Sequence, residues 1–279
     1  MAKLQALAFP RYNKLTITQD ALGNDIETLA VAGAAIGKAI NATVQLTTAR
    51  TPQYADNRES EVTNEYTGGT VTIGVDELTL PVKADIMGNT ITDGELVTAK
   101  TDIAPYIRFG YLTEGITNKV KHYIGQVFLK ALFAPSSESY QTRGATPAFQ
   151  TDTITGTLSE NSSDQFKKEK SFSTEAEARA YINSFLNILE NIVVASAAGV
   201  TGKTAITVNP GKLVAAHTYV SKTAESVDLP AYGAALTTGW TAWDGTAEIA
   251  ATTGHEIVIA EIDAANKAVA AGKATVVSG

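Results

Sequence analysis

Hydrophobic residues recur along the chain mostly with a period of two, which is typical of β-strands that bury one face. The stretches with this alternation are AINATVQLTT from Ala39, GTVTIGV from Gly69, PYIRFGYL from Pro105 and TDTITGTL from Thr151. Their predicted inward residues are Ile40, Ala42, Val44 and Leu46, then Val71, Ile73 and Val75, then Ile107, Phe109 and Tyr111. YIGQVFLKALF is apolar on both faces, which predicts a central, covered strand. The pattern therefore predicts a mainly β protein.

Two helices are predicted between these strands. The first has Thr79 as its N-cap, Pro81 in its first turn and Gly88 at its end. The second begins at Thr174, and Glu177 has the spacing of a capping box. Its apolar residues follow helical spacing over about five turns. They are Ala178, Tyr181, Ile182, Phe185, Leu186, Leu189, Ile192 and Val193. Such a stripe indicates a helix that packs on the core.

The pattern changes after Gly199. Short strand-like stretches follow, separated by Gly, Asn and Asp turns; they are TAITVNP, HTYVSKT, HEIVIAEID and KATVVSG. We therefore predict one domain over residues 1–198 and a small all-β module over residues 199–279. Gly199 and Gly202 lie at the seam, where small residues suit an interdomain hinge.

The sequence at the same boundary resembles the motif of a phosphate-binding loop. ASAAGVTGKT ends in Gly202, Lys203 and Thr204, which raises the hypothesis of a nucleotide hydrolase. Such a loop must open a helix, because the helix N-terminus holds the phosphates. The residues after Lys203 favour a strand instead, and Pro210 leaves no room for a helix of useful length. We therefore expect no phosphate site here.

Composition and charge narrow the classes of function further. Of 279 residues, 44% are hydrophobic and 18% charged, and the net charge of −7 argues against binding nucleic acid by phosphate neutralisation. There is no cysteine, and the three histidines lie far apart, so no metal site or cofactor is predicted. The apolar runs are far shorter than the roughly 20 residues of a membrane-spanning helix. We expect a chain without membrane insertion that is made in a cytoplasm.

Candidate chemistry is concentrated in three stretches. Asp56, Glu59, Glu61 and Glu65 form an acidic cluster around Arg58 that is predicted to be a loop. Paired carboxylates can act as acid and base in glycosidases, but a solvated loop, or a surface that repels nucleic acid, fits the same residues. Trp240 and Trp243 flank a turn and are candidates for sugar stacking, although at least one is expected in the core. KKEK at residues 167–170 is predicted to be a solvated strand edge.

The order of several motifs resembles the major tail proteins that build the tail tube of long-tailed phages. The motifs are YADN, YTGGTVTIGVDELT, ADIMGNTI, APYIRFGYL, YIGQVFLKALFAPSSESYQTRGATPAFQTDTITGTL and KKEKSFSTEAEARAYI. The resemblance covers about residues 1–190, and residues 199–279 look like an extra β module on the tube exterior. It implies a β-sandwich or barrel with a flanking helix.

The resemblance also implies a function without enzymatic activity. Subunits would form stacked, hexameric rings in the tail of a virion, after synthesis in the bacterial host cytoplasm. The partners implied are other copies of the chain, the tape-measure, tail-terminator and distal tail proteins, and double-stranded DNA that passes through the lumen during ejection. Asp56, Glu59, Glu61 and Glu65 would then form a lumen-facing or inter-ring loop. The alternative is a glycan-binding β-sandwich protein that acts through Trp240 and Trp243.

Overall fold

The computed structural model describes residues 3–56, 58–134 and 151–279. Asn57 and residues 135–150, which belong to two of the motifs above, lie outside this range. The chain is mainly β, as predicted, and it divides into two compact units, Met1–Ser173 (unit 1) and Thr174–Gly279 (unit 2). This division falls before the predicted boundary at residue 198, which stays a prediction.

Unit 1 contains eleven described strands and one helix, α1 (Leu80–Met87). The strands are β1 Lys3–Gln19, β2 Asp25–Leu29, β3 Ala34–Ala35, β4 Ala39–Ala55, β5 Arg58–Val75, β6 Thr90–Thr92, β7 Glu95–Val97, β8 Tyr106–Thr117, β9 Val120–Ala134, β10 Asp152–Leu158 and β11 Lys167–Phe172. Nine of them form an antiparallel sheet in the order β2-β1-β8-β9-β10-β5-β4, with β3 on β1 and β11 on β9. In the described part of the chain, β4 is therefore an edge strand.

The core of unit 1 lies under the strands with the strongest alternation. The inward residues predicted for β5 and β8 are buried, and β9 is buried on both faces where it crosses the middle of the sheet. Phe109 of β8 stacks on Phe128 of β9 with ring centroids 4.7 Å apart, and Phe133 meets Phe109 edge-on at 5.6 Å. These aromatic contacts join neighbouring strands through their side chains as well as their backbones.

The inward face predicted for β4 is wrong at both of its ends. Ala42 and Val44 pack partly against the core, but Ile40 is 50% and Leu46 37% exposed. The predicted strand itself is confirmed. Ile40 lies in the register shift between Ala39 and Asn41, and Leu46 is the last residue before the β4–β5 hairpin extends beyond β10.

A buried ion cluster ties β2 to the centre of the sheet. The Glu27 side chain is only 5% exposed and accepts from Arg108 Nη2 at 3.2 Å, with Lys130 Nζ 4.0 Å away. The backbone N–H of Ser162 donates to the same carboxylate at 3.1 Å. Burial lowers the pKa of Arg108, and the charge of Glu27 opposes that shift. Glu27 is the one carboxylate between two cations, Arg108 and Lys130, and its removal would leave both without this counter-charge.

Helix α1 follows the sequence prediction. Thr79 occupies the N-cap position in extended conformation, and Gly88 ends the helix in the left-handed region with φ 72°. A Cβ at Gly88 would collide with the Ile103 carbonyl oxygen, so both the backbone angle and the close approach require glycine. Ala84 and Ile86 are buried, which fixes α1 against the core of unit 1.

Unit 2 contains helix α2 (Glu175–Leu186) and eight described strands. The strands are β12 Glu190–Asn191, β13 Val193–Ala198, β14 Lys203–Asn209, β15 Thr218–Ala224, β16 Thr241–Trp243, β17 Ile249–Ala250, β18 Glu256–Ile262 and β19 Ala268–Thr275. They form one sheet in the order β12-β19-β18-β15-β16 and a smaller one in the order β13-β14-β17. One core cluster takes residues from both sheets, including Val194, Ile206 and Ile257.

Helix α2 begins as predicted and ends earlier. Thr174 accepts a hydrogen bond from the backbone N–H of Glu177 at 3.3 Å, which caps the helix. Asn187 then adopts a left-handed conformation with φ 50° and closes it. The predicted stripe over five turns is therefore wrong beyond Leu186. Its later apolar residues lie in β13 or beside β12, where the β-branched Ile192, Val193 and Val194 favour an extended backbone.

A second buried carboxylate organises the loop that precedes β15. Glu261 of β18 has no exposed surface and accepts from the backbone N–H of Leu213 at 2.9 Å and of Val214 at 3.2 Å. His217 Nδ1 lies 2.7 Å from the same carboxylate. Burial, with a smaller contribution from Glu261, raises the pKa of the nearby Tyr219 phenol to about 12. The loop is thus held by one side chain of the central strand.

Candidate assembly surface

The outer half of the β4–β5 hairpin extends beyond the rest of the sheet. β10 pairs with β5 only from Gly69 to Val75, whereas β4 stays paired with β5 as far as Ala55 and Arg58. We call residues 47–66 the arm. Each arm strand has nine residues beyond the sheet, Thr47–Ala55 in β4 and Arg58–Tyr66 in β5. This corresponds to roughly 31 Å at about 3.4 Å per residue. In the described part of the chain, no third strand pairs with the arm.

Both faces of the arm are open to solvent. The side chains described between residues 47 and 66 are exposed except for the cross-strand pair Pro52 and Val62, which are half-buried. Tyr66 at the base is 63% exposed. A two-stranded ribbon with so little burial is marginally stable by itself. Its outer edges also present backbone groups that can pair with another strand.

The acidic residues singled out from the sequence lie together on this arm. Asp56 is at the tip in a left-handed conformation with φ 52°, and Glu59, Glu61 and Glu65 lie along β5. The sequence predicted a loop here, and this is wrong, because a regular antiparallel ladder runs almost to the tip. The side chains of Glu61 and Glu65 are exposed and, four residues apart on a strand, share one face. The arm is therefore an acidic ribbon.

Strand β11 presents a basic edge elsewhere on the same sheet. It pairs with β9 from Lys167–Phe128 to Phe172–Tyr123, and no described strand pairs with its other side. This confirms the predicted strand edge at residues 167–170. Lys167 turns inward, with Nζ 5.6 Å from the centre of the Phe128 ring and 2.6 Å from Glu169 Oε2. Lys168 and Lys170 are exposed and share the other face.

Tyr111 lies in the core of unit 1, and the pKa of its phenol depends on its burial and on the charge of Glu169 in β11. Burial raises the pKa of its phenol to about 12, and the negative charge of Glu169 adds to the shift. The ordinary phenol pKa is 10.0, so between pH 10 and 12 the unfolded chain ionises while folded Tyr111 stays neutral. The stability contributed by this group is complete below pH 10 and is lost as the pH rises towards 12.

We expect the free energy of unfolding of wild-type unit 1 to fall more steeply than that of a Tyr111→Phe variant above pH 10. The difference in slope should approach about 1.4 kcal/mol per pH unit, because one proton is released only on unfolding. Urea denaturation of both proteins at pH 9 and pH 11 measures it. Parallel changes in the two proteins would contradict the assignment.

The two tryptophans of unit 2 have different surroundings. Trp243 is buried, donates from Nε1 to the Ala247 carbonyl at 2.7 Å and packs against Tyr219 with ring centroids 5.6 Å apart. This confirms that at least one of the pair belongs to the core. Trp240 is half-buried, with Lys222 Nζ 5.9 Å from its ring centre. The pair therefore does not form an open double platform for a sugar.

The seam residues lie in a tight β-hairpin. Gly199 and Gly202 are in the turn between β13 and β14, and Lys203 opens β14 rather than a helix. Thr204 is buried, with its hydroxyl 2.6 Å from Ser196 Oγ. This confirms that the phosphate-loop letters lack the strand–loop–helix frame. The hinge role of the two glycines stays a prediction.

Among the residues that the structure describes, no group of three or more His, Asp or Glu side chains is placed to hold a metal ion. None of the helices described has the length and apolar character needed to cross a membrane.

Comparison with known proteins gives one family match. Residues 198–279 match the model of the S-layer protein SbsC C-terminal domain, which covers less than a third of the chain. Among solved structures, that of surface layer protein SbsC, domains 4–9, matches over 96% of this chain with 13% identity. The chain spans 65% of that structure's length, and the TM-score of 0.28 does not indicate a shared fold. No curated protein matches the sequence.

These findings overturn the resemblance to phage tail-tube proteins. The family that matches is a surface-layer family, so the predicted tail tube, DNA ejection, tape-measure and tail-terminator partners and virion location are wrong. The motifs behind the resemblance encode local elements, namely the strands β5, β8 and β11 and the capped helix α2. Many β folds contain such elements, and their order alone was too weak to identify a family. The glycan-binding alternative is not supported either.

Proposed function

We propose that this chain is a structural subunit that assembles with copies of itself into an ordered layer at a cell surface. The observation that carries the proposal is the arm, a long ribbon whose described side chains are almost all exposed and with which no third described strand pairs. Such a ribbon gains stability only when another strand or surface covers it. The match of residues 198–279 to an S-layer protein domain supports a layer as the form of the assembly.

The role in assembly is divided among different parts of the chain. In this proposal unit 1 is the assembling part, and residues 199–279 form the β portion of unit 2 together with β12 and β13. The matched family is structural, and the absence of enzymatic activity is part of the proposal. Asp56, Glu59, Glu61 and Glu65 act as contact residues of the arm.

Removal of the arm tests the proposal. Thr47 and Gly68 are directly paired, so residues 48–67 can be replaced by an Asn-Gly turn without changing the sheet below. We expect the wild-type chain to form ordered sheets in negative-stain electron microscopy and to sediment as large particles. The armless variant should remain monomeric, with an unchanged circular dichroism spectrum.

A matched control is available in the same unit. β6 and β7 form a separate two-stranded hairpin, and replacement of residues 91–96 by Asn-Gly, between the directly paired Thr90 and Val97, removes exposed chain without touching the arm. This variant should assemble like the wild type. A wild-type chain that stays monomeric at high concentration, or an armless variant that still forms sheets, would overturn the proposal.

A further inference from the structure

We propose that the arm of one copy pairs with the β11 edge of a second copy, so that the acidic strand of the arm lies beside the lysines of β11. This inference rests on the proposed function and names the contact that produces the assembly. The partner is a second copy of this chain, because each copy has both the arm and the β11 edge. Within one copy, β11 pairs with β9, and among the described strands only β4 and β5 pair with each other along residues 47–66.

The backbone geometry fits strand addition. β11 offers six residues, Lys167–Phe172, and the β5 side of the arm offers nine, Arg58–Tyr66. Six residues are a normal strand length, and each of these strands has one edge without a described partner. Addition of a strand to such an edge gives affinity through main-chain hydrogen bonds, while side chains determine the partner.

The charges of the two strands are complementary. Residues 58–66 carry one arginine and three glutamates, and residues 167–170 carry three lysines and one glutamate. The net charges are therefore −2 and +2. Two copies of β11, or two arms, would repel each other, whereas arm on β11 attracts. The charge pattern thus selects the mixed contact over either self-contact.

One antiparallel register brings the charges together on a single face. With Glu65 opposite Lys168, Thr63 lies opposite Lys170. Lys170 is then diagonal to both Glu61 and Glu65. Direct cross-strand neighbours are about 5 Å apart and diagonal ones about 7 Å, within reach of lysine side chains. Each lysine of the exposed face therefore meets at least one glutamate.

The contact is heterologous, because it joins two different surfaces, the arm of one copy and the β11 edge of the next. A copy that inserts its arm into the next copy does not use its own β11 edge in that contact. Association therefore continues until the chain of copies closes into a ring or extends indefinitely. By itself a contact of this kind produces rings or filaments, and a two-dimensional layer needs a second, different interface between them.

Charge reversal on each side separately tests the inference. The first variant carries Glu61→Lys and Glu65→Lys in the arm, and the second carries Lys168→Glu and Lys170→Glu in β11. Each variant alone has like charges at the contact, so we expect its assembly to require at least about a tenfold higher concentration. An equimolar mixture should assemble again, because each arm then meets an edge of opposite charge. Sedimentation velocity and electron microscopy at low salt measure both results.

The controls separate this inference from the proposed function. Lys38→Glu with Lys100→Glu reverses two exposed lysines elsewhere in unit 1 and should not change assembly. If the armless variant fails to assemble but both charge variants assemble like the wild type, the proposed function stands and the pairing with β11 is overturned. Failure of the mixture to assemble, when each variant is folded by circular dichroism, also overturns the pairing.

Discussion

Replacement of Glu27 by alanine is expected to lower the free energy of unfolding of unit 1 by about 3–5 kcal/mol. The carboxylate is nearly inaccessible, and its removal leaves Arg108 and Lys130 without their shared counter-charge. The side chains of both cations are less than one sixth exposed, so water cannot replace the lost partner fully. The Ser162 N–H also loses its acceptor. Urea denaturation followed by circular dichroism measures the change.

The matched control for this prediction is an ion pair on the surface of the same sheet. Glu114 lies 2.7 Å from Lys121, whose side chain is 60% exposed. Glu114→Ala should cost less than about 1 kcal/mol, because solvent screens exposed pairs. Glu27→Gln, which keeps an acceptor and removes the charge, should fall between the two. Equal effects of Glu27→Ala and Glu114→Ala would show that burial does not govern the cluster.

Truncation of Phe128 to alanine is expected to destabilise unit 1 by about 3–5 kcal/mol. Phe128 is fully buried, stacks on Phe109 at an interplanar angle of 8° and lies beneath Lys167. Its removal leaves a cavity between two central strands that cannot collapse, because the backbone ladders of β8 and β11 hold both neighbours in place. Thermal and urea unfolding both report the loss.

Val120 provides the comparison on the same strand. It is 66% exposed, so Val120→Ala removes little buried surface and should cost less than about 1 kcal/mol. A small effect of Phe128→Ala would mean that the stack of aromatic rings is not the centre of the core.

The elements that follow a local rule were predictable from the sequence. Val71, Ile73 and Val75 alternate because one face of β5 is covered, and Thr174 caps α2 because its side chain can accept from the N–H of Glu177. Both depend on residues within a few positions of each other. Both elements can therefore be predicted from local sequence without knowledge of the rest of the fold.

The arm was not predictable in the same way. Its strands have no apolar alternation, since neither face is covered, and so the acidic stretch was interpreted as a loop. It forms a ladder because pairing of β4 with β5 continues outward from the sheet and because threonines such as Thr51 and Thr63 favour the extended backbone. The basic strand β11 was predicted, but its relation to the acidic strand depends on a second copy.

The buried carboxylates were invisible to sequence patterns for another reason. Glu27 meets Arg108 across 81 positions, and Glu261 meets Leu213 across 48. No local periodicity marks such pairs. The early end of α2 was missed because apolar spacing continued past Asn187, while the left-handed conformation that stops the helix depends on that one residue.

Because the arm is a regular antiparallel ladder, the number of residues in each strand determines its length. Addition of two residues to each strand lengthens the ribbon by roughly 7 Å and keeps every side chain on its original face. Addition of one residue to each strand exchanges the two faces and would turn the acidic side chains away. If neighbouring copies are spaced by the arm, their repeat distance is therefore tunable in discrete steps. Sequence variants would be expected to differ here by even numbers of residues per strand.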